Sequence, residues 1–354
     1  MFIVTFHGGK GGTHQLYSYN DDGSRGAPYL ADATPSGKTG FRDIQFLPST
    51  YDGTDVGQFI LVNSSKKKSE VFQIAPNATE APDPFVKGVG CDGEVLYAVW
   101  HPFSIAFDDG MGVGYIANQD TNVVVRVHGP QRQEPGQPLP VNPSLLKLFD
   151  KPTFMPGTFV ASQIPLVPPD CPSDYSHPTP VPKEQGGLGV TVGDDGRASN
   201  SVRGVAVINT TLYVADEVDN CVRTYDTESG EYLDIIKDQD GLMISPTHLM
   251  MYGQDLYIGV RPKKPGGPLV LLYKPRDKNL SVFISDPKEV DIKHPSGMTF
   301  DGDGRFYLAD LTGQAVYMFE GAGRLADNQP FISKMPDQPE FILWVGDDQL
   351  KSKS

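Results

Sequence analysis

The stretch HPSGMTFDGDGRFYLADLTGQAVYMFE, from His294 to Glu320, decides the fold. It divides into three short runs of β-branched, aromatic and aliphatic residues, separated by Asp-Gly-Asp-Gly and Leu-Thr-Gly-Gln. Runs of that length between such punctuation read as strands joined by tight turns. The second run ends in a small residue followed by Asp310. The same phrase recurs as HPFSIAFDDGMGVGYIANQDTNVVVRV from His101 and as SVRGVAVINTTLYVADEVDNCVRTYD from Ser201. Longer-turned versions start at Ser245 (SPTHLMMYGQDLYIGVRPKKPGGPLVLLYK) and Gly40 (GFRDIQFLPSTYDGTDVGQFILVNSSKKKSEVFQIA). After each comes another short apolar piece: PFVKGVG, LLKLFDKP, EYLDIIKD, LSVFISD or QPFISKM. Four strands per unit, repeated along the chain, predict the blades of an all-β propeller.

The two ends of the chain complete a sixth unit. FIVTFH (2–7) fits a second strand, HQLYSY (14–19) a third and APYLAD a fourth, while the innermost strand is supplied by QPEFILWVG from Gln338. A C-terminal strand joining the N-terminal blade closes the ring, hides the sheet edges and makes residues 1–354 one six-bladed domain. Two segments interrupt the repeat: the Pro-rich 129–143, and a longer insertion at about 155–200. Loops of that length in a compact domain are usually functional or disordered. The second would lie on the face where the inner strands begin, as a lid over the central mouth or as an ornament packed by its prolines.

Composition agrees with this architecture and excludes others. The 38 Gly and 31 Pro among 354 residues are incompatible with a bundle of long helices. Hydrophobic residues, at 38%, are enough for a sizeable core. With 44 acidic against 30 basic side chains and a net charge of −14, the chain lacks the basic footprint of a nucleic-acid or anionic-membrane partner. No apolar run reaches the roughly 18 residues of a spanning helix. Cys91, Cys171 and Cys221 lie far apart and form neither a CxxC pair nor an even disulfide set. The first residues have no secretory pattern, so a cytoplasmic location is expected. Asn63, Asn77, Asn209 and Asn279 stand in glycosylation-type triplets, which chance produces readily and which would matter only if a leader had been removed.

On the His294-Pro-Ser-Gly-Met start and the strand endings Tyr-Val-Ala-Asp (213–216) and Tyr-Leu-Ala-Asp (307–310), the chain resembles the NHL-repeat family of six-bladed propellers. The resemblance covers three blades well. It implies the fold; its members include scaffolds, hydrolases and lyases, so it selects no activity.

Propeller sites form where the inner strands begin around the axis. Aligning the six starts brings Arg42, Phe103, Arg203, Thr247, Ser296 and Glu340 to one level, and Asp43, Ser104, Gly204, His248, Gly297 and Phe341 to the next. Second-strand ends facing the same mouth are His7, Asn63, Asn118, Asp216, Val260 and Asp310, with Arg261 beside Val260. Charges so close to an axis must be paired, for instance Arg42 with Glu340 and Arg203 with Asp43. That network could simply plug the channel. It could equally bind a small anionic organic molecule, with Arg42, Arg203, Asn118 and Phe103 as substrate-binding residues. His248, Glu340 and Asp43 would then be catalytic, moving protons in a hydrolase, lyase or isomerase type of reaction.

A divalent metal is the further possibility. Calcium-dependent propeller hydrolases of lactonase or esterase type place a Glu where Glu340 stands, but the neighbouring arginines oppose a hard cation. His7, His101 and His294 could join in a zinc or copper site, although His before Pro at a strand start also suits a purely structural role. HGGKGGT (7–13) lacks phosphate-loop spacing, so no nucleotide cofactor is expected. The competing function is a non-catalytic interaction scaffold.

Overall fold

A computed structural model describes residues 1–6, 16–29, 40–48, 57–65, 68–76, 78, 84–87, 99–164, 179–192, 198–199, 202–237, 240–287, 289–321, 323–346 and 349. Six four-stranded antiparallel sheets follow one another around a central axis. Blade 1 is ordered Pro339–Trp344, Phe2–Phe6, Leu16–Tyr19, Arg25–Tyr29 from the inside outwards, so the last strand of the chain is innermost in the first blade. Ile3 faces Leu343 and Val4 faces Ile342 across that closure. The inner strands of blades 2 to 6 are Phe41–Leu47, Pro102–Phe107, Val202–Ile208, His248–Tyr252 and Pro295–Phe300. The expected six-bladed, all-β ring closed by its C-terminal strand is therefore what the chain forms. No helix in the described residues is long and apolar enough to cross a membrane.

Period-two alternation sends successive side chains of each strand into the layers on either side of its blade. The core is accordingly a ring of wedges between blades. Leu47, Ile60 and Val62 of blade 2 meet Ile105, Ile116 and Val125 of blade 3. Val205 and Val207 of blade 4 meet Tyr115 and Val124 of blade 3, and the last layer joins Tyr307 and Val316 to Phe2, Val4 and Ile342.

Two outer strands differ from expectation. In blade 3 the piece LLKLF is not the fourth strand: Pro143–Leu148 is a short helix, and Thr158–Val160 completes the sheet. Asn142 caps that helix by accepting from the Ser144 amide at 2.9 Å, with Pro143 in the first turn. Leu145, Leu148 and Phe149 recur at helical spacing, a pattern that a short apolar run shares with a strand. In blade 6 the fourth strand is Arg324–Leu325. Ile332, from the expected piece QPFISKM, makes only a bridge to Val316.

Of the 155–200 insertion, Thr158–Val160 belongs to blade 3, and the described residues 183–189 are tied to the flank of blade 4. Gly189 N–H donates to Asp216 at 2.9 Å, Tyr225 O–H to Gly186 O at 2.5 Å, and Lys183 Nζ lies 2.8 Å from Asp219. Arg223, fully buried, joins Asp216 at 2.7 Å and also grips Asp219. Residues 165–178, and with them the stretch expected to cover the mouth, lie outside the described residues. So do His7, the HGGKGGT turn, Cys91, Cys171 and Asn77.

Candidate functional site

The side chains around the axis are placed by a repeated irregularity. Five of the six inner strands carry one extra residue, close to their starts, against the second strand: Phe41 faces Asn63 but Ile44 faces Leu61, Val202 faces Asp216 but Val205 faces Val214, and blades 1, 3 and 6 do the same. Such bulges break the alternation and re-aim side chains. The residues within them are Arg42 and Asp43, Phe103, Arg203 and Gly204, Ser296 and Gly297, and Glu340 and Phe341. These are the aligned positions of the sequence. The paired strands of blade 5 show no register shift: His248 faces Gly259, where the second strand ends, one residue before the expected Val260.

The bulges bring Arg42 and Glu340 together at 2.5 Å, both buried, with Arg42 Nε also donating to Ser64 Oγ at 3.1 Å. This half of the expected network forms. The other half does not. Arg203 lies 2.5 Å from Glu217, not on Asp43, and stands over the Phe103 ring at 5.8 Å. Glu217 also accepts from Ser245 Oγ at 2.6 Å and lies 3.6 Å from Arg261. Asp43 is committed to the seam between blades 2 and 3, where it accepts from the Ile105 amide at 2.9 Å and from Gln45 Nε2 at 3.0 Å. Complete burial raises its carboxyl to about 6 in spite of those hydrogen bonds. Glu217 went unnoticed in the sequence because the alignment stopped at Asp216, one residue short of the turn.

Asn118 and its counterparts are absorbed by the scaffold. Asn63 accepts from Gly40 N–H at 3.2 Å, Asn118 from Trp100 N–H at 3.2 Å, and Asp310 from His294 N–H at 3.0 Å. Each side chain pins the segment that leads into its own inner strand. Buried in this way, Asn63 is also closed to glycosylation while the protein is folded. Two of the histidine candidates, His101 and His294, lie in the described residues. His101 Nδ1 lies 2.9 Å from Asp120, and His294 sits half-buried, its pKa lowered by burial and by Arg261. Among the described residues no three His, Cys, Asp or Glu side chains gather as a metal site would require.

His248 is enclosed rather than presented at the mouth. Its ring packs 5.2 Å from Phe103 and 4.6 Å from Phe341, and those two rings are 5.7 Å apart, so three rings form a septum across the axis. Burial lowers its pKa to about 3, outweighing the opposite pull of Glu340. Burial thus favours the neutral imidazole, away from the reference value on which a proton shuttle was expected. On one side of the septum lie the charges of the mouth. On the other lies a cavity of about 320 Å³, bounded by His248 and Phe341 at its closed end and by the inner-strand ends Leu47, Phe107, Tyr252 and Phe300.

No protein-family model matches the sequence, and no curated protein matches it either. Solved structures do. A chain of a nidogen/laminin complex superposes with a TM-score of 0.57 at 10% identity, over 96% of this chain and 96% of that one. A protein from Lactobacillus plantarum superposes with a TM-score of 0.51 at 11% identity, over 98% of this chain and 99% of that one. At such identities the likeness speaks for the six-bladed propeller and for nothing finer.

Proposed function

We propose that this propeller recognises a small organic anion at the mouth where its inner strands begin. The observation that carries the proposal is the sharing of Glu217: Arg203 holds it at 2.5 Å, and Arg261 reaches the same carboxylate at 3.6 Å with its side chain 47% exposed. Arg42 and Glu340 lie nearby and add no net charge as a pair. A guanidinium at the water boundary, presented beside a second one, is suited to a carboxylate or phosphate.

Recognition rather than turnover is favoured by the state of the groups that acid–base chemistry would need. His248 is neutral and walled by rings, and both oxygens of Asp43 are engaged at a blade seam. The kinship with NHL-type propellers, resting on His294-Pro295 and the Ala-Asp strand endings, is part of the same proposal and permits a non-catalytic role.

Thermal shift and calorimetry with succinate, citrate and inorganic phosphate at low ionic strength test the proposal. At least one of the three is expected to raise the melting temperature of the wild type. Arg261→Ala, an exposed change costing within about 0.5 kcal/mol, is expected to abolish the shift. Absence of any shift, or equal binding by R261A, would overturn it.

A further inference from the structure

The mouth holds an anion of its own. Glu217 follows the strand Thr211–Asp216 of blade 4, and its two carboxylate oxygens are used differently. Oε2 lies 2.5 Å from Arg203 Nη2. Oε1 accepts from Ser245 Oγ at 2.6 Å and lies 3.6 Å from Arg261 Nη2. The bond to Ser245 is short and charge-assisted, whereas the contact with Arg261 is an ion pair too long for a hydrogen bond. Arg261 is also the more exposed guanidinium, 47% against 14% for Arg203.

Ser245 is fixed through backbone and side chain together. The Arg261 amide donates to Ile244 O at 3.0 Å, which sets the two segments side by side. The Ser245 amide donates to Asn220 Oδ1 at 2.7 Å, so one turn of blade 4 grips this residue at both its N–H and its hydroxyl. Its φ is 47°, a left-handed backbone that glycine adopts more easily. Glycine there would keep the N–H but offer Glu217 no hydroxyl. A non-glycine residue held in that conformation points to a use for its side chain.

We infer that Glu217 is a resident competitor for the anion, and that Ser245 is the positioning residue that keeps it from closing on Arg261. The inference rests on the reading of the mouth as an anion site and adds how that site is tuned. Arg42, Arg203 and Arg261 meet two carboxylates there, Glu340 and Glu217, and the contact of Arg261 is the longest of the three pairings. An anion arriving from solvent takes Arg261 from Glu217 while Arg203 keeps its partner. Without the Ser245 hydroxyl, Oε1 loses its donor, and Arg261 is the cation in reach to replace it. The mouth is then satisfied internally and binds an external anion less well. Without the Glu217 charge, Arg261 has no resident partner and binding strengthens.

Two readouts on the whole chain test this. The first is the rate at which phenylglyoxal modifies Arg261 with no anion added, read by peptide mass spectrometry. The internal reference is Arg276, exposed on the turn between the strands Pro268–Lys274 and Asn279–Ser285. Glu217→Gln is expected to raise the rate at Arg261 roughly two- to fivefold, the value of an exposed ion pair. Ser245→Ala and Ser245→Gly are expected to lower it by a similar factor, and alike, since the hydroxyl is what both lose. The second readout is calorimetry with succinate, citrate and inorganic phosphate at low ionic strength. Whichever binds the wild type is expected to bind Glu217→Gln more tightly and both Ser245 variants more weakly, again roughly two- to fivefold. The Ser245 variants change no charge, so their loss cannot come from the net field of the mouth. Weaker binding by Glu217→Gln would make Glu217 a support for the arginines and overturn the inference. So would unchanged or faster modification of Arg261 in the Ser245 variants, which decide the matter even where Glu217→Gln does not fold. If none of the three anions binds the wild type, the anion site itself falls, and the modification rates alone decide whether Ser245 holds Glu217 off Arg261.

Discussion

At the scale of single residues, Asp43 carries a cost that pH can reveal. Its carboxyl is completely buried, and its pKa rises from 3.8 to about 6 in the folded chain, a difference worth about 3 kcal/mol. The folded state binds this proton more tightly than the unfolded one. The stabilisation linked to it is thus complete below pH 3.8 and is lost as pH rises through 6. Asp43→Asn keeps an acceptor for the Ile105 amide and has no proton to lose. Urea unfolding at pH 4.5 and 7.5 should show the variant gaining on the wild type by about 2 kcal/mol as pH rises; parallel pH profiles would refute the assignment. The Arg42–Glu340 pair behaves oppositely. Glu340→Leu alone leaves a guanidinium buried beside apolar surface and should cost about 3–5 kcal/mol, whereas Arg42→Met with Glu340→Leu should recover most of it. Thermal melts of the two variants decide this, and equal losses would show that the pair itself, not the orphaned charge, supplies the stability.

At the scale of elements, the seams between inner strands decide how closely blades approach. Thr5 Oγ1 donates to Arg42 O at 2.5 Å, the Val205 amide to Ser104 Oγ at 3.4 Å, the Gly204 amide to Thr247 O at 2.8 Å and Ser296 Oγ to Pro339 O at 2.8 Å. Small residues make these contacts possible: a Cβ on Gly204 would stand 2.7 Å from the Leu249 amide nitrogen and 2.9 Å from Thr247 O. Gly204→Ala should push blades 4 and 5 apart and cost about 1–3 kcal/mol in chemical unfolding, with loss of protection at the Gly204 amide in hydrogen exchange. An unchanged midpoint would mean that the seam is soft. The strands themselves were legible in the sequence because alternation and the terminal Asp or Asn repeat in several blades. The bulges were not, because one extra residue leaves no compositional mark; Arg42 and Asp43 are adjacent, yet both are buried around the axis. The helix at Pro143–Leu148 was misread because LLKLF satisfies either period, although Asn142-Pro143 in front of it carried the cap signal. The mouth charges could be listed from the alignment, but their pairing depended on Glu217, just past the aligned strand end. The cavity could not be foreseen, since it opens where the inner strands finish and the aligned positions are those where they start.

At the scale of the molecule, stability rests on one strand that arrives last. Phe341, Leu343 and Val345 enter the layer between blades 1 and 2, while Ile342 and Trp344 enter the layer between blades 6 and 1. Removing the strand would therefore open two wedges of core at once and bare the edge of Phe2–Phe6, a run of apolar and β-branched residues. Such an edge recruits other strands, and nothing in FIVTF, which has neither charge nor proline, discourages it. A chain ending at residue 337 is expected to lose its cooperative thermal transition and to elute as oligomers or aggregate. Because the missing piece docks by strand addition, the peptide QPEFILWVG supplied in trans should restore a monomer and the transition in proportion to its occupancy. A truncated chain that remains monomeric and melts cooperatively by itself would show that five complete blades and a partial sixth suffice, and that closure is not what holds the ring.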